Sequence, residues 1–417
     1  MLKRIFTGIM TIVMLTATVS TKIYANQSHQ DQLSEQGGQG QQNQEGQQNQ
    51  EPEVAAHGAI LIDAVTKRVL WEKDAHTPFA MASTTKIMTA ILAIEKGKLD
   101  DIVTVSAKAQ AAPRVKMYLQ KGEEISLLGL LYALMMQSSN DAAVAIAEHI
   151  SGSVDAFCEE MTEKARELGA NNTIFETPSG LDEGSHQSTA YDMALITSYA
   201  LQNAMFFEII NTPHKTVTSS RTTYDINNKN RLLNEFNGAN GVKTGYTGKA
   251  GHCFVGAAKR DGMQLISVVF ASGWGQRGKE QKWVDTKEIL TFGFDNYKNE
   301  IVVEEGEIAG RLAVSRSKTQ GIELYYADSI IMPINSKGQD DIEFIPFYPK
   351  TMQAPIEKNQ IVGEARLFID QDYFASIPIY TRQGALRHDL KTSCEKVLNQ
   401  LFKLVAEDDI AITLPEF

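Results

Sequence analysis

Three short motifs in this chain carry residue types able to do nucleophilic chemistry: Ser83-Thr84-Thr85-Lys86, Ser138-Ser139-Asn140 and Lys243-Thr244-Gly245. In the first, a hydroxyl and an amine lie three positions apart, one helical turn, so both side chains reach the same face. A serine beside an amine that can take its proton is an acyl-transfer nucleophile. Lysine serves as that base only when neutral, and burial together with a second nearby cation lowers its pKa toward the working range. Lys243, from a distant segment, is the candidate second cation. Each motif alone is weak. Their order, their generous spacing and the placing of Ser83 and Asn140 at the mouths of helices join them into one site.

Positioning such a site takes a sheet and a set of helices, and the sequence supplies both. Residues 58–63 and 67–71 are short apolar strands around a polar turn, a hairpin that opens the catalytic domain. Ile87, Met88, Ile91, Leu92 and Ile94 then form the apolar face of a buried helix that starts just after Ser83. A second helix runs through Leu127, Leu130, Leu131 and Leu134 and ends near Ser138. Asn140 and Asp141 are N-cap candidates for a third, through Val144 and Ile146. Phe157, Met161, Ala165 and Leu168 mark a fourth helix, closed by Gly169, and Thr189 opens a fifth. Strands return at 253–258 and 265–271 around Asp261-Gly262, a hairpin turn pair. A strand through Lys243 and a closing helix over 283–294 complete the domain. Beyond residue 299 short strands dominate, at 322–326, 329–334, 361–369 and 375–380, and imply a separate small β domain.

In these motifs the chain resembles the penicillin-binding protein and serine β-lactamase superfamily. Within it, the chain is similar to D-alanyl-D-alanine carboxypeptidases of low molecular mass, serine peptidases of the S11 type, including those of spore-forming Gram-positive bacteria. The resemblance spans most of the chain after the N-terminal segments. It implies an α/β fold: a β-lactamase/transpeptidase-like domain, antiparallel sheet with helical insert, then a small all-β domain and a C-terminal amphipathic helix. It implies Ser83 as nucleophile and Lys86 as base, with Ser138 relaying a proton and the Asn140 amide holding the substrate backbone. Helix capping is the plainer role for Ser138 and Asn140. Lys243 and Thr244 would bind the free carboxylate of a terminal D-alanine, and Gly245 would let the strand lie close to it. The backbone N–H groups of Ser83 and Tyr246 would form the oxyanion hole. Arg277, Lys279 and Lys282 are three candidates for a further cation at that carboxylate. The segment Pro178-Ser179-Gly180-Leu181-Asp182 with His186 resembles the floor of the cleft, His186 reading as structural. The expected partners are peptidoglycan pentapeptides and β-lactam antibiotics; neither metal nor organic cofactor is implied.

The ends differ in composition from the rest. Residues 1–25 read as a secretory signal peptide: Lys3 and Arg4, an apolar run, then a small residue at the cut. A membrane anchor is the rival, with a run short of the roughly 20 apolar residues of a span. Residues 26–53, rich in Gln, Gly, Asn and Glu, read as a disordered spacer. The catalytic domain is then assigned to 54–298, the β domain to 299–383 and a helical tail to 384–417. In the tail Leu390, Cys394, Val397, Leu401 and Val405 share one face, which suits a helix lying on a membrane or one docked on the β domain. The expected location is the extracytoplasmic face of the membrane or the wall.

The chain has 417 residues and a formal net charge of −11, and losing Lys3, Arg4 and Lys22 with the signal makes it −14. A nucleic-acid partner is excluded on that balance. The three cysteines, Cys158, Cys253 and Cys394, are odd in number and widely spaced, which suits free thiols. The rival functions are a β-lactamase, an endopeptidase using the same residues, and a non-catalytic wall-binding or sensor protein. A class A β-lactamase needs a loop glutamate, for which Glu176 is placed, but Gly180 stands where that pattern wants asparagine.

Overall fold

A computed structural model of the chain describes residues 51–388 and 390–407. The proposed signal peptide and the spacer up to residue 50 lie outside the described residues. Residues 51–53, assigned above to the spacer, are held in place: Pro52 is buried and the Glu53 amide donates to Glu288 Oε1 at 2.6 Å. A backbone captured by a carboxylate leaves no apolar pattern to read. By its contacts the described chain forms two units, residues 51–308 with 326–340, and residues 309–325 with 341–407.

The first unit is built on a five-stranded antiparallel sheet in the order Val69–Lys73, Gly58–Asp63, Met263–Phe270, Gly251–Arg260, Ala239–Thr247. Side chains alternate between its faces. Ile60, Ile62, Val255 and Val268 face the helical core, while Ala59, Leu61, Phe254 and Val269 pack with Trp283, Ile289 and Leu290 of the helix Gly275–Asn296. Covered on both faces, the central strands read as nearly unbroken apolar runs. Asp261 and Gly262 both adopt positive φ, 48° and 81°, which closes the expected hairpin.

The insert holds the helices Lys86–Lys96, Leu127–Tyr132, Asn140–Ser151, Val154–Glu167 and Ala190–Leu201. Ser126, Ser153 and Thr189 cap three of them, each accepting the amide three residues on. Asn140 and Asp141 do not serve as the cap expected of them: the N-cap is Ser139, and both side chains turn to other work described below. Two antiparallel strand pairs escape the sequence pattern, Ile102–Thr104 with Glu124–Ser126 and the hairpin His214–Thr218 with Thr223–Asn227. Each strand of the second buries one residue, Val217 or Ile226, too little to give a period.

The strands Tyr297–Val303 and Ile330–Asn335, which but for residues 297 and 298 fall in the range 299–383 read as the β domain, pair with each other and group by contacts with the first unit. Arg68 is one tie between them and that unit. It makes a buried two-pronged pair with Asp340, at 2.6 and 3.0 Å, and also donates to the Pro333 carbonyl.

The second unit carries a six-stranded sheet in the order Ile342–Phe347, Ile361–Ile369, Asp372–Thr381, Gly321–Tyr326, Ile308–Ser315, Thr351–Gln353. Asp370 and Gln371, at φ 52° and 71°, make its tightest turn. The tail helix spans Leu390–Glu407, with Val397, Leu398, Leu401 and Phe402 exposed. Among the described residues no single helix is long and apolar enough to cross a membrane.

Asp285 fixes where the chain enters the first unit. Fully buried, it accepts from the amides of Ala55 and Ala56 at 3.2 and 3.0 Å, from Gln281 at 2.8 Å and from the Ser272 hydroxyl. Asp285→Ala strands those donors and costs about 3 kcal/mol. Thermal unfolding of the variant is expected to show a midpoint lower by about 6–12 °C; an unchanged midpoint would remove Asp285 as the anchor.

Candidate active site

Ser83 sits in a short 3-10 turn, Ala82–Thr85, that runs directly into the helix Lys86–Lys96. The turn is braced from three sides. Thr84 and Thr85 hydroxyls donate back to the carbonyls of Met81 and Ala82 at 2.6 and 2.8 Å. Thr89 donates to Pro178 O at 2.6 Å and ties the helix to the floor loop. His186 Nδ1 accepts the Glu176 amide at 3.0 Å, so its Nε2 carries the proton and donates to Thr85 Oγ1 at 2.8 Å. Burial, with Lys86 and Lys249 adding to it, pushes the His186 pKa down to about 4, so the ring stays neutral. His186 therefore braces the serine turn, the structural role expected of it.

Lys86 is fully buried. Its Nζ lies 2.9 Å from Ser83 Oγ, 2.8 Å from Asn140 Oδ1 and 2.5 Å from the Ser179 carbonyl. Burial, then the Lys243 cation, hold its pKa well below the ordinary lysine range, against an opposing pull from Asp141. A neutral amine has two N–H donors and one lone pair. The Asn140 and Ser179 oxygens can accept only, so they take both donors, and the lone pair is left for the Ser83 hydroxyl proton. In that state the pair has the geometry that a nucleophile and its base require.

Ser138 closes a π turn, Ala133–Gln137, in the left-handed region at φ 68°. It is half-buried, and its hydroxyl has no hydrogen-bond partner among the described residues. Asn140 has partners on every polar atom of its side chain. Both hydrogens of its amide are taken, by the carbonyls of Pro113 at 3.2 Å and Arg114 at 3.1 Å, while its oxygen takes Lys86. In this arrangement the Asn140 amide holds the lysine and the 113–119 loop. Asp141 completes the hold by accepting the amides of Met117 and Leu119 at 3.0 and 3.1 Å.

Lys243-Thr244-Gly245 lies on the edge strand of the sheet, Ala239–Thr247. A Cβ on Gly245 would stand 2.9 Å from Ser83 N and 3.0 Å from Ala82 Cβ, so only glycine lets this strand reach the serine turn. The expected reason was room for a substrate; the immediate one is room for the nucleophile's own backbone. Tyr246 is exposed and stacks on His252 at 4.3 Å. Lys243 is buried, donates to Thr244 O at 3.0 Å, and has its pKa lowered to about 7 by burial and by Lys229. Thr244 is half-buried.

The three cationic candidates separate. Arg277 and Lys279 are exposed on the helix Gly275–Asn296. Lys282 is buried, donates to Lys279 O at 2.6 Å, and has its pKa brought down to about 8 by burial. The cation missed from sequence is Lys229, whose Nζ donates to Gln137 O at 3.0 Å, one residue before Ser138, and which lowers the Lys243 pKa. It stands in an irregular loop without a motif. Also missed was the Ser179 carbonyl, a backbone group that no side-chain pattern reports. Gly180 beside it has φ +86°, and a Cβ there would stand 1.8 Å from Ala82 O. Among the described residues no cluster of His, Cys, Asp and Glu is arranged to hold a metal ion.

Residues 45–273 match the family profile described as D-alanyl-D-alanine carboxypeptidase, peptidase S11, and residues 297–384 match that of the penicillin-binding protein 5 C-terminal domain. The D-alanyl-D-alanine carboxypeptidase DacF of Bacillus subtilis is 33% identical over 84% of this chain and 90% of its own length. DacC of Escherichia coli is 31% identical over 75% of this chain and 80% of its own. The solved structure of penicillin binding protein 5 from Haemophilus influenzae, 27% identical, superimposes with a TM-score of 0.69, covering 81% of this chain and 99% of that one. Having the fold, the serine–lysine pair and this match over more than half its length, the chain belongs to the S11 family of serine-type D-alanyl-D-alanine carboxypeptidases.

Proposed function

We propose that this carboxypeptidase removes the terminal D-alanine of peptidoglycan stem peptides through an ester on Ser83, with Lys86 as the base. The observation that carries the assignment is the buried Lys86 Nζ, 2.9 Å from Ser83 Oγ, whose every hydrogen-bond partner is an uncharged oxygen. Lys86 takes the hydroxyl proton as Oγ attacks the carbonyl carbon of the penultimate D-alanine. Negative charge gathers on the carbonyl oxygen between the N–H groups of Ser83 and Tyr246. The C–N bond then breaks, and the leaving amine takes a proton passed from Lys86 through Ser138. Lys243, as a cation, and the Thr244 hydroxyl hold the free carboxylate of the departing D-alanine. Water then attacks the ester carbonyl, its proton passes through Lys86 to the departing Ser83 Oγ, and the shortened peptide leaves as a carboxylate. Asn140 acts as a positioning residue for Lys86. The protein works outside the cytoplasm, delivered by the N-terminal signal and held near the membrane by the exposed apolar face of its tail.

Penicillin acylates the same serine and stays, by this reading. Glu176 is exposed against Gly184, with no hydrogen bond to Ser83 or Lys86 among the described residues. An asparagine at 180 would collide with Ala82 O. These two positions argue against the class A route to fast deacylation.

Intact mass measured after mixing with benzylpenicillin is expected to show one persistent adduct, absent in Ser83→Ala. Labelling of Ser83→Ala, or rapid loss of the adduct with drug turnover, would sink the assignment. Gly180→Ala displaces the Ser83 turn and is expected to slow acylation on the order of 100-fold, whereas an unchanged rate would mean the loop yields. The two lysines set the pH response of kcat/KM in opposite senses. Activity rises as Lys86 loses its proton and falls as Lys243 loses its own, near pH 7. Lys243→Arg, charged throughout, should shift the falling limb to higher pH in a pH–rate profile; an unmoved limb would take Lys243 out of that role.

A further inference from the structure

The chain from Lys108 to Lys121 carries four cations, Lys108, Arg114, Lys116 and Lys121, and not one carboxylate, in a protein of formal net charge −11. Its middle is pinned to the site. Asn140 Nδ2 donates to the carbonyls of Pro113 and Arg114, the Asn140 amide donates to Val115 O at 2.7 Å, and Asp141 accepts from Met117 and Leu119. The Arg114 carbonyl is linked to Ser83 Oγ by three hydrogen bonds, through Asn140 and Lys86, of 3.1, 2.8 and 2.9 Å. The side chains of this lip differ in what they already hold. Lys116 donates to Gln110 O at 2.9 Å and lies over the Tyr118 ring. Arg114 is exposed, and its guanidinium has no hydrogen-bond or ion-pair partner among the described residues. A fixed backbone bearing a free planar fork of donors suits a carboxylate.

We propose that Arg114 is a specificity-determining residue that binds a free carboxylate on the acyl side of the scissile bond, on the diamino residue before the D-alanyl-D-alanine end. This rests on the carboxypeptidase reading. An extended peptide advances about 3.3–3.6 Å per residue, so that residue lies within reach of an arginine anchored this near the nucleophile. The leaving-side carboxylate is met elsewhere, by Lys243 on the edge strand. Arg114 therefore sorts stem peptides by the far end of their third residue: a free carboxylate is favoured over the amide or over a lysine that lacks it.

The test is D-alanine release from three pentapeptides alike except at the third residue: diaminopimelate, its side-chain amide, and lysine. The unmutated protein is expected to favour the free carboxylate over the amide about fivefold in kcat/KM, the size of a partly exposed charged pair. The ratio should shrink between about 0.05 and 0.5 M salt. Arg114→Gln brings it to about one through KM, Arg114→Glu inverts it, and Arg114→Lys retains part of it. A merely structural role would lower all three peptides together. Equal rates for the free and amidated peptides, or a preference that survives in Arg114→Gln, overturns the proposal. Release from none of the three while penicillin still labels Ser83 overturns the carboxypeptidase reading itself.

Discussion

A lysine that is to act as a base near neutral pH must be buried without a carboxylate at its nitrogen, because a carboxylate would hold the proton on. Every hydrogen-bond partner of Lys86 obeys this: a hydroxyl, an amide oxygen and a backbone carbonyl. The nearby acid, Asp141, has its oxygens turned to the amides of Met117 and Leu119. It thus opposes the lowering of the Lys86 pKa only from a distance, and burial outweighs it. Asn140 and Asp141 divide the work between them, one supplying a neutral acceptor and the other spending its charge on a loop.

That requirement also sets the packing. To deny Lys86 water, the edge strand, the serine turn and the floor loop must close on one another with backbone against backbone. Gly245 and Gly180 are the two places where a side chain would prevent it. Contact this close leaves the serine turn little freedom, and the ring of His186 takes up what remains by joining Glu176 to Thr85. With its pKa near 4, the ring keeps Nδ1 free to accept the Glu176 amide throughout the range in which Lys86 could work.

The parts legible in the sequence were those carried by side-chain identity and period. The three motifs lie at one site, the central strands alternate as their burial on both faces demands, and Thr189 caps the helix it was expected to open. What escaped was carried by backbone or by irregular loops. The Ser179 carbonyl is invisible to any residue-type argument, and Lys229 looks like any loop lysine until Lys243 is seen beside it. Asn140 was ambiguous for a different reason. Its residue type suits a cap, a substrate clamp and a lysine support equally, and only the positions of Lys86 and Arg114 decide among them. The hairpin His214–Thr218 with Thr223–Asn227 failed on periodicity, since one buried residue per strand sets no pattern.

Charge supplies the last step. A protein of formal net charge −11 that takes anionic peptides works against its own long-range field. Screening limits that field to about 8–10 Å at physiological ionic strength, so the groups at the cleft govern the approach. Those groups are of the opposite sign: Lys243 and Lys229 beside the edge strand, and Arg114 on the lip that Asn140 pins. Two of them have a second effect. Lys229 lowers the pKa of Lys243, and Lys243 lowers that of Lys86. On the proposed reading, the cations that draw in a carboxylate also help to strip the proton from the base, so binding and base strength would share one electrostatic origin. An anion seated on Lys243 would offset part of that cation's push on Lys86 and return some basicity to it. On that reading the base would be weakest in the empty site and would strengthen once its substrate is in place.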